Sequence, residues 1–154
     1  NLSANVNTTM FVGQVIVPFK ITANKISFRV TGAAVAGTAD VTMYSEDGQT
    51  QLFAVTTASI SADTVVTTDL SAIVINPGVY YIAINPNGTA DFQPLFWGSN
   101  VIPFTNTAGL HGDVTSEPVI AGTVTITAGT PPATITPTSV TEGTNYTLIF
   151  RLDN

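Results

Sequence analysis

The stretch Ile73–Asn85, IVINPGVYYIAIN, limits what this chain can fold into more than any other. Asn76-Pro77-Gly78 is turn chemistry, because proline presets φ and glycine accepts positive φ at no steric cost. Six apolar residues, rich in β-branched and aromatic side chains, then run unbroken from Val79 to Ile84. Asn85-Pro86-Asn87-Gly88 supplies a second turn signal. A short apolar run between two turns reads as a strand covered on both faces. The expectation is a central strand of an all-β domain, stopped at Asn85.

The rest of the chain repeats this texture of short strands and turns. Met10–Val17 reads as a strand ended by Pro18, with Gly13 inside it marking a bulge or a close backbone approach. Lys25–Thr31 alternates, Ile26, Phe28 and Val30 on one side and Lys25, Ser27, Arg29 and Thr31 on the other. Period-two alternation means one buried and one wet face. Thr38–Tyr44 alternates in the same way and leads into Ser45-Glu46-Asp47-Gly48-Gln49, a hairpin connection, with Leu52–Thr57 as its return strand. Val65–Leu70, Asp91–Trp97, Val119–Ala128 and Asn145–Leu152 complete the strand candidates. The 3.6-residue period of an amphipathic helix is sustained nowhere. The pattern predicts one all-β domain spanning residues 1–154, a sandwich or a barrel, with no internal repeat and no interdomain linker.

Composition narrows the partners. Charged residues are 9% of the chain, against roughly a quarter in ordinary globular proteins. Abundant threonine and alanine make the surface neutral and hydroxyl-rich, which suits packing against copies of itself or a larger assembly. Net charge is −6 with only four Lys+Arg, too few to neutralise a nucleic-acid backbone. Lys20, Lys25 and Arg29 fall close together and read as solvated charge on a strand face or a guarded sheet edge. With no cysteine there is no disulfide or thiolate chemistry. No apolar run reaches the roughly 20 residues of a membrane span.

Three stretches stand apart from the strands. Residues 1–17 open with a polar NLSANVNTT and read as a docking arm, with Met10, Phe11 and Val12 as assembly contacts. Gly98–Pro118 is long, irregular and carries the only histidine, His111, a further contact candidate. Gly129–Gly143 is rich in proline and threonine and is expected to run extended along the surface, with Pro131 and Pro132 as contacts.

The motifs VPFKITANKISFRVT, VTMYSEDGQTQLF, INPGVYYIAI and PPATITPTSVTEGTNYTLIFRL, in that order, span nearly the whole chain. Together they resemble a jelly-roll domain of tailed-bacteriophage virion structural proteins, of the capsid decoration (cement), head-fibre or tail-fibre type. The resemblance implies an all-β, antiparallel two-sheet β-sandwich (jelly roll) that forms a homotrimer on the virion surface. It also implies a non-enzymatic role beside the major capsid protein or another virion protein. The Gly98–Pro118 insertion departs from the pattern, and no residue roles carry over.

Residues that could do chemistry are few. His111 beside Asp113, with Ser99 or Ser116 as nucleophile, lacks the strained elbow such a site needs. Asp113 and Glu117 are the nearest carboxylate pair, without a sign of the apolar pocket that raises one pKa. The same pair, or Glu46 and Asp47 beside Gly48, is the candidate for Ca²⁺, though neither matches an EF-hand loop. No other cofactor is expected. Alternation over Asp91–Trp97 sets Trp97 beside Gln93 and Asp91, an indole with hydrogen-bonding neighbours, as a sugar platform would need. Tyr44 is a weaker platform by the same logic. These residues carry the alternative reading, a glycan-binding module on a fibre tip or a secreted protein, with a host surface glycan as partner. A third reading is an extracellular filament subunit joined by strand donation.

Overall fold

The computed structural model describes residues 8–31, 37–58, 60, 64–87, 93–94, 121–127, 130–142 and 150–154. They form ten strands: β1 (Thr9–Val17), β2 (Ile21–Thr31), β3 (Thr38–Ser45), β4 (Gln51–Thr56), β5 (Val65–Ile75), β6 (Gly78–Asn87), β7 (Gln93–Pro94), β8 (Ala121–Thr125), β9 (Thr141–Glu142) and β10 (Phe150–Asp153). One short 3₁₀ turn, Pro137–Ser139, is the sole helical element among the described residues.

All pairings are antiparallel and make two sheets. The larger has the order β4-β3-β6-β1-β8-β9, its five longer strands extended by the two-residue β9. The smaller has the order β10-β2-β5, with β7 also paired to β2. Ile82 and Ile84 of β6, Val41 and Met43 of β3, Ile26 and Phe28 of β2, and Val66 and Leu70 of β5 share one buried cluster. The sheets therefore pack face to face as a sandwich.

Val79–Ile84 is a central strand as expected, though Val79 and Tyr80 at its start are only half-buried. The strand lies between β3 and β1, and Tyr81–Ile84 are fully buried. Its end does not stop at Asn85, because β6 runs on to Asn87 with Pro86 opposite Ala39. The missing proline N–H removes no ladder bond there, since pairing with β1 extends only as far as Ile84. Gly13 causes no bulge, its register to Ile82 being continuous. The irregularities fall instead between Met43 and Tyr44, and between Ala23 and Lys25. The latter lies opposite Ser71 and Ala72, which both take positive φ, at 56° and 58°.

A second cluster lies on the outward face of the larger sheet. Met10, Val12, Tyr44, Tyr81 and Ala83 of the sheet are buried with Ile126, Ile135 and Val140. Residues 130–140 thus form a strap across that face. The strap is held by Tyr44, whose hydroxyl donates to the Pro132 carbonyl at 2.7 Å, and by the Ile135 amide donating to the Gly48 carbonyl at 2.9 Å. Gly48 is required at this crossing. Its φ is +70°, and a Cβ there would sit 2.2 Å from the Ile135 carbonyl oxygen. The returning leg crosses just as closely over Gly122, where a Cβ would lie 2.1 Å from the Thr141 carbonyl oxygen.

One expectation is corrected here. Residues 9–17 are not a free arm: Met10, Phe11 and Val12 are at most 2% exposed within the chain's own larger sheet. Pro131 and Pro132 belong to the strap and are half-buried. Residues 1–7 and 98–118 lie outside the described residues.

Candidate interaction surface

The feature most open to a partner is one end of the sandwich, where two connections cross between the sheets. Pro18-Phe19-Lys20 carries the chain from β1 to β2, and Asn76-Pro77 carries it from β5 to β6. Both start and finish on paired residues, Val17 opposite Gly78 in one sheet and Ile21 opposite Ile75 in the other. The two corners must therefore run side by side. Proline suits both, since a corner offers no ladder partner for its missing N–H. The Tyr80 hydroxyl donates to the Asn76 carbonyl at 2.9 Å and fixes the second corner.

Three of the four large hydrophobic side chains exposed among the described residues lie along these corners: Ile16 at 52%, Phe19 at 66% and Val74 at 50%. Pro18, Lys20, Asn76 and Pro77 are exposed around them. Ile16 faces outward from the larger sheet and Val74 outward from the smaller one, with Phe19 on the corner between them, so apolar side chains ring this end of the sandwich. Beside it opens a cleft of about 500 Å³ lined by residues 19–23 and 152–154. Its walls mix Phe19, Ile21 and Leu152 with Lys20 and Asp153.

Next to this end, the outward face of the smaller sheet gathers most of the chain's positive charge. Lys25 and Arg29 of β2 and Arg151 of β10 are all exposed, and Lys25 stands in register between Asp69 and Asp153. Arg151 pairs with Asp153, Nε to Oδ1 at 2.8 Å, on a side chain 75% exposed, so the pair is screened by water. The reading of Lys25 and Arg29 as solvated charge on a strand face is met. The edge alternative is not, because β2 is interior to its sheet. Ser27 departs from its wet face: it is buried, with its hydroxyl 2.9 Å from that of Thr67.

The other sequence candidates are dispersed. Asp91, Trp97, Ser99, His111, Asp113, Ser116 and Glu117 lie outside the described residues. Gln93 is in β7, where it pairs with Thr31. Tyr44 is not a platform, since the strap buries it completely. Asp47 is a turn former: Oδ1 accepts from the Ser45 hydroxyl and, at 3.0 Å, from the Gln49 amide. Those bonds hold its carboxyl below the usual carboxylate range. No group of three His, Cys, Asp or Glu stands together among the described residues.

The corner surface was missed by the sequence reading. Its local signals, Pro18 after a strand and Asn76-Pro77 before one, were visible, but only the strand pairing reveals that they are neighbours. Comparison with family models, with curated proteins and with solved structures finds no match to this chain.

Proposed function

We propose that this chain is a non-enzymatic structural protein of a tailed-phage virion, a jelly roll that assembles as a homotrimer on the particle surface. Capsid decoration is the first choice within this class and a tail-fibre role the second. The observation that supports the reading is the exposure of Phe19 on the corner, with Ile16 and Val74 exposed on either side of the same end, on a chain that is only 9% charged. A surface this poor in charge gains little from water and much from burial against a second copy. The resemblance in motif order supplies the virion setting. In this reading the corner end meets neighbouring copies, and the outward faces remain free for the shell.

Light scattering over a dilution series tests it. The expected result is a trimer that persists on dilution, and a shift toward monomer in Phe19→Asp with the thermal unfolding curve unchanged. A monomer at every concentration overturns the trimer. A trimer unaffected by Phe19→Asp overturns the placement of the contact. Binding of the wild-type protein to empty capsids, measured by co-sedimentation, then tests the decoration role.

A further inference from the structure

Where β2 leaves the corner, one of its two sides is uncovered. In the smaller sheet β2 lies between β5 and β10. Its pairing with β5 extends back to Ile21, opposite Ile75, whereas its pairing with β10 reaches only to Lys25, opposite Asp153. Over residues 21–24, about 13 Å of strand at roughly 3.3 Å per residue, β2 has no strand on its β10 side among the described residues. The backbone groups of a strand turn alternately to its two sides, so about half of those in this stretch face an open edge.

The cleft of about 500 Å³ opens on this edge. Ala23 in its wall belongs to the cluster between the sheets, and Ile21 and Leu152 pack against that cluster, so the three make an apolar floor. Phe19, Lys20, Thr22 and Asn154 line the cleft and are exposed, which makes them its rim. The alternation of a strand is kept up to the corner, with Ile21 and Ala23 turned to the core and Thr22 turned away.

The two charges in the wall are not equivalent. Asp153 is engaged by Arg151, whose Nε stands 2.8 Å from Oδ1 and 3.0 Å from Oδ2. Lys20, one residue before the uncovered stretch, has no acidic partner among the described residues. A lysine beside an open edge discourages pairing with an arbitrary strand. It favours a strand that brings a carboxylate to the same place.

We propose that this edge receives an extended segment of a partner protein, added to β2 antiparallel and in line with β10. Main-chain bonds to residues 21–24 hold the segment, and its alternate side chains decide which segment fits. Its apolar residues turn inward onto Ile21, Ala23 and Leu152, and its small polar residues lie outward beside Thr22. Because the segment runs in the direction of β10, its C-terminal residue comes level with Lys20 and is acidic. The occupant is therefore a short stretch of alternating apolar and hydroxyl residues ending in aspartate or glutamate. The site stands independently of the virion reading, since it needs the open edge and not the trimer.

The test titrates the full ¹⁵N-labelled chain with a synthetic peptide of alternating threonine and valine that ends in aspartate, following amide shifts by NMR. Saturable shifts are expected at residues 19–24 and 152–154, with a dissociation constant in the ~10⁻⁴–10⁻³ M range because so short a strand buries little surface. Methylating the peptide's backbone amides on the side that would meet β2 keeps its side chains and charge, and should weaken binding at least tenfold. Lys20→Glu should weaken the aspartate peptide at least fivefold and reverse the preference in favour of a lysine-ended one. No saturable shift, shifts centred elsewhere, or equal binding of the methylated peptide overturns the site. Equal binding of the aspartate and lysine peptides to the wild type overturns the role of Lys20 and the acidic end. Shifts of the same amides with protein concentration alone would assign the edge to a second copy and overturn the partner segment.

Discussion

From β6, Ile82 and Ile84 point into the space between the sheets, while Tyr81, Ala83 and Asn85 point the other way. All five are fully buried, yet the two faces are closed by different means. The inner face meets a second sheet whose backbone is already paired, so apolar volume is all it must supply. Val, Ile, Leu, Met and Phe fill it. The outer face meets a strap whose carbonyls and amides have no ladder of their own, so the sheet must offer hydrogen bonds as well as volume. Tyr44 supplies one, its hydroxyl donating to the Pro132 carbonyl. The lesson is that irregular cover demands amphipathic side chains, because orphaned backbone groups cost free energy when buried.

Substituting one residue on each side of β6 sharpens this contrast. Ile82→Ala removes a fully buried side chain from between two regular sheets that cannot collapse around the hole. The expected loss is about 2–5 kcal/mol, read by denaturant unfolding, the largest effect anticipated here. A loss below about 1 kcal/mol would break the view of the inner face as a rigid, fully packed layer.

Tyr44→Phe keeps the ring and deletes only the bond to the strap. The expected cost is about 1–2 kcal/mol, because the Pro132 carbonyl loses its donor in a part-buried site. The loss should also be local. Limited proteolysis within residues 130–140 should quicken in Tyr44→Phe and stay unchanged in Ile82→Ala under native conditions. Equal protection of the strap in both variants would mean that the outer cover is held by apolar burial alone.

The same contrast explains which features could be read from the sequence. The β6 run, the Asp47-Gly48 hairpin and the alternation of β2 are local patterns, and local patterns survive into the fold. The outer cover is not local. Residues 130–142 carry no period, and nothing in PPATITPTSVTE says which surface its Ile135 and Val140 will find. For the same reason Asp40, Thr42 and Tyr44 look like the wet side of an alternating strand. All three are buried, Tyr44 because a distant segment roofs its part of the face, and a single strand's periodicity cannot report a roof. The corner end was hidden differently, since Pro18-Phe19-Lys20 and Asn76-Pro77 come side by side only through pairing between strands far apart in the chain.

The smallest expected effect separates the faces by pH. The buried inner cluster contains no ionisable side chain, whereas the outer one contains Tyr44 and Tyr81. Burial pushes both phenols above their ordinary value near 10, and the bond from Gln14 opposes the rise only in part at Tyr81. The folded state then holds these protons more tightly than the unfolded chain does. Their contribution is complete below about pH 10 and is lost as pH climbs toward the raised folded values, so neutral stability is untouched. Alkaline titration followed by phenolate absorbance and near-UV circular dichroism should show ionisation of these two tyrosines coinciding with release of the strap. Tyr44→Phe, though less stable at neutral pH, should lose less of its remaining stability between pH 9 and 11 than the wild type (roughly the span around a free phenol's titration). Phenolates appearing at both positions at about pH 10 or below, with the near-UV signal intact, would mean that the strap leaves the outer face open to water.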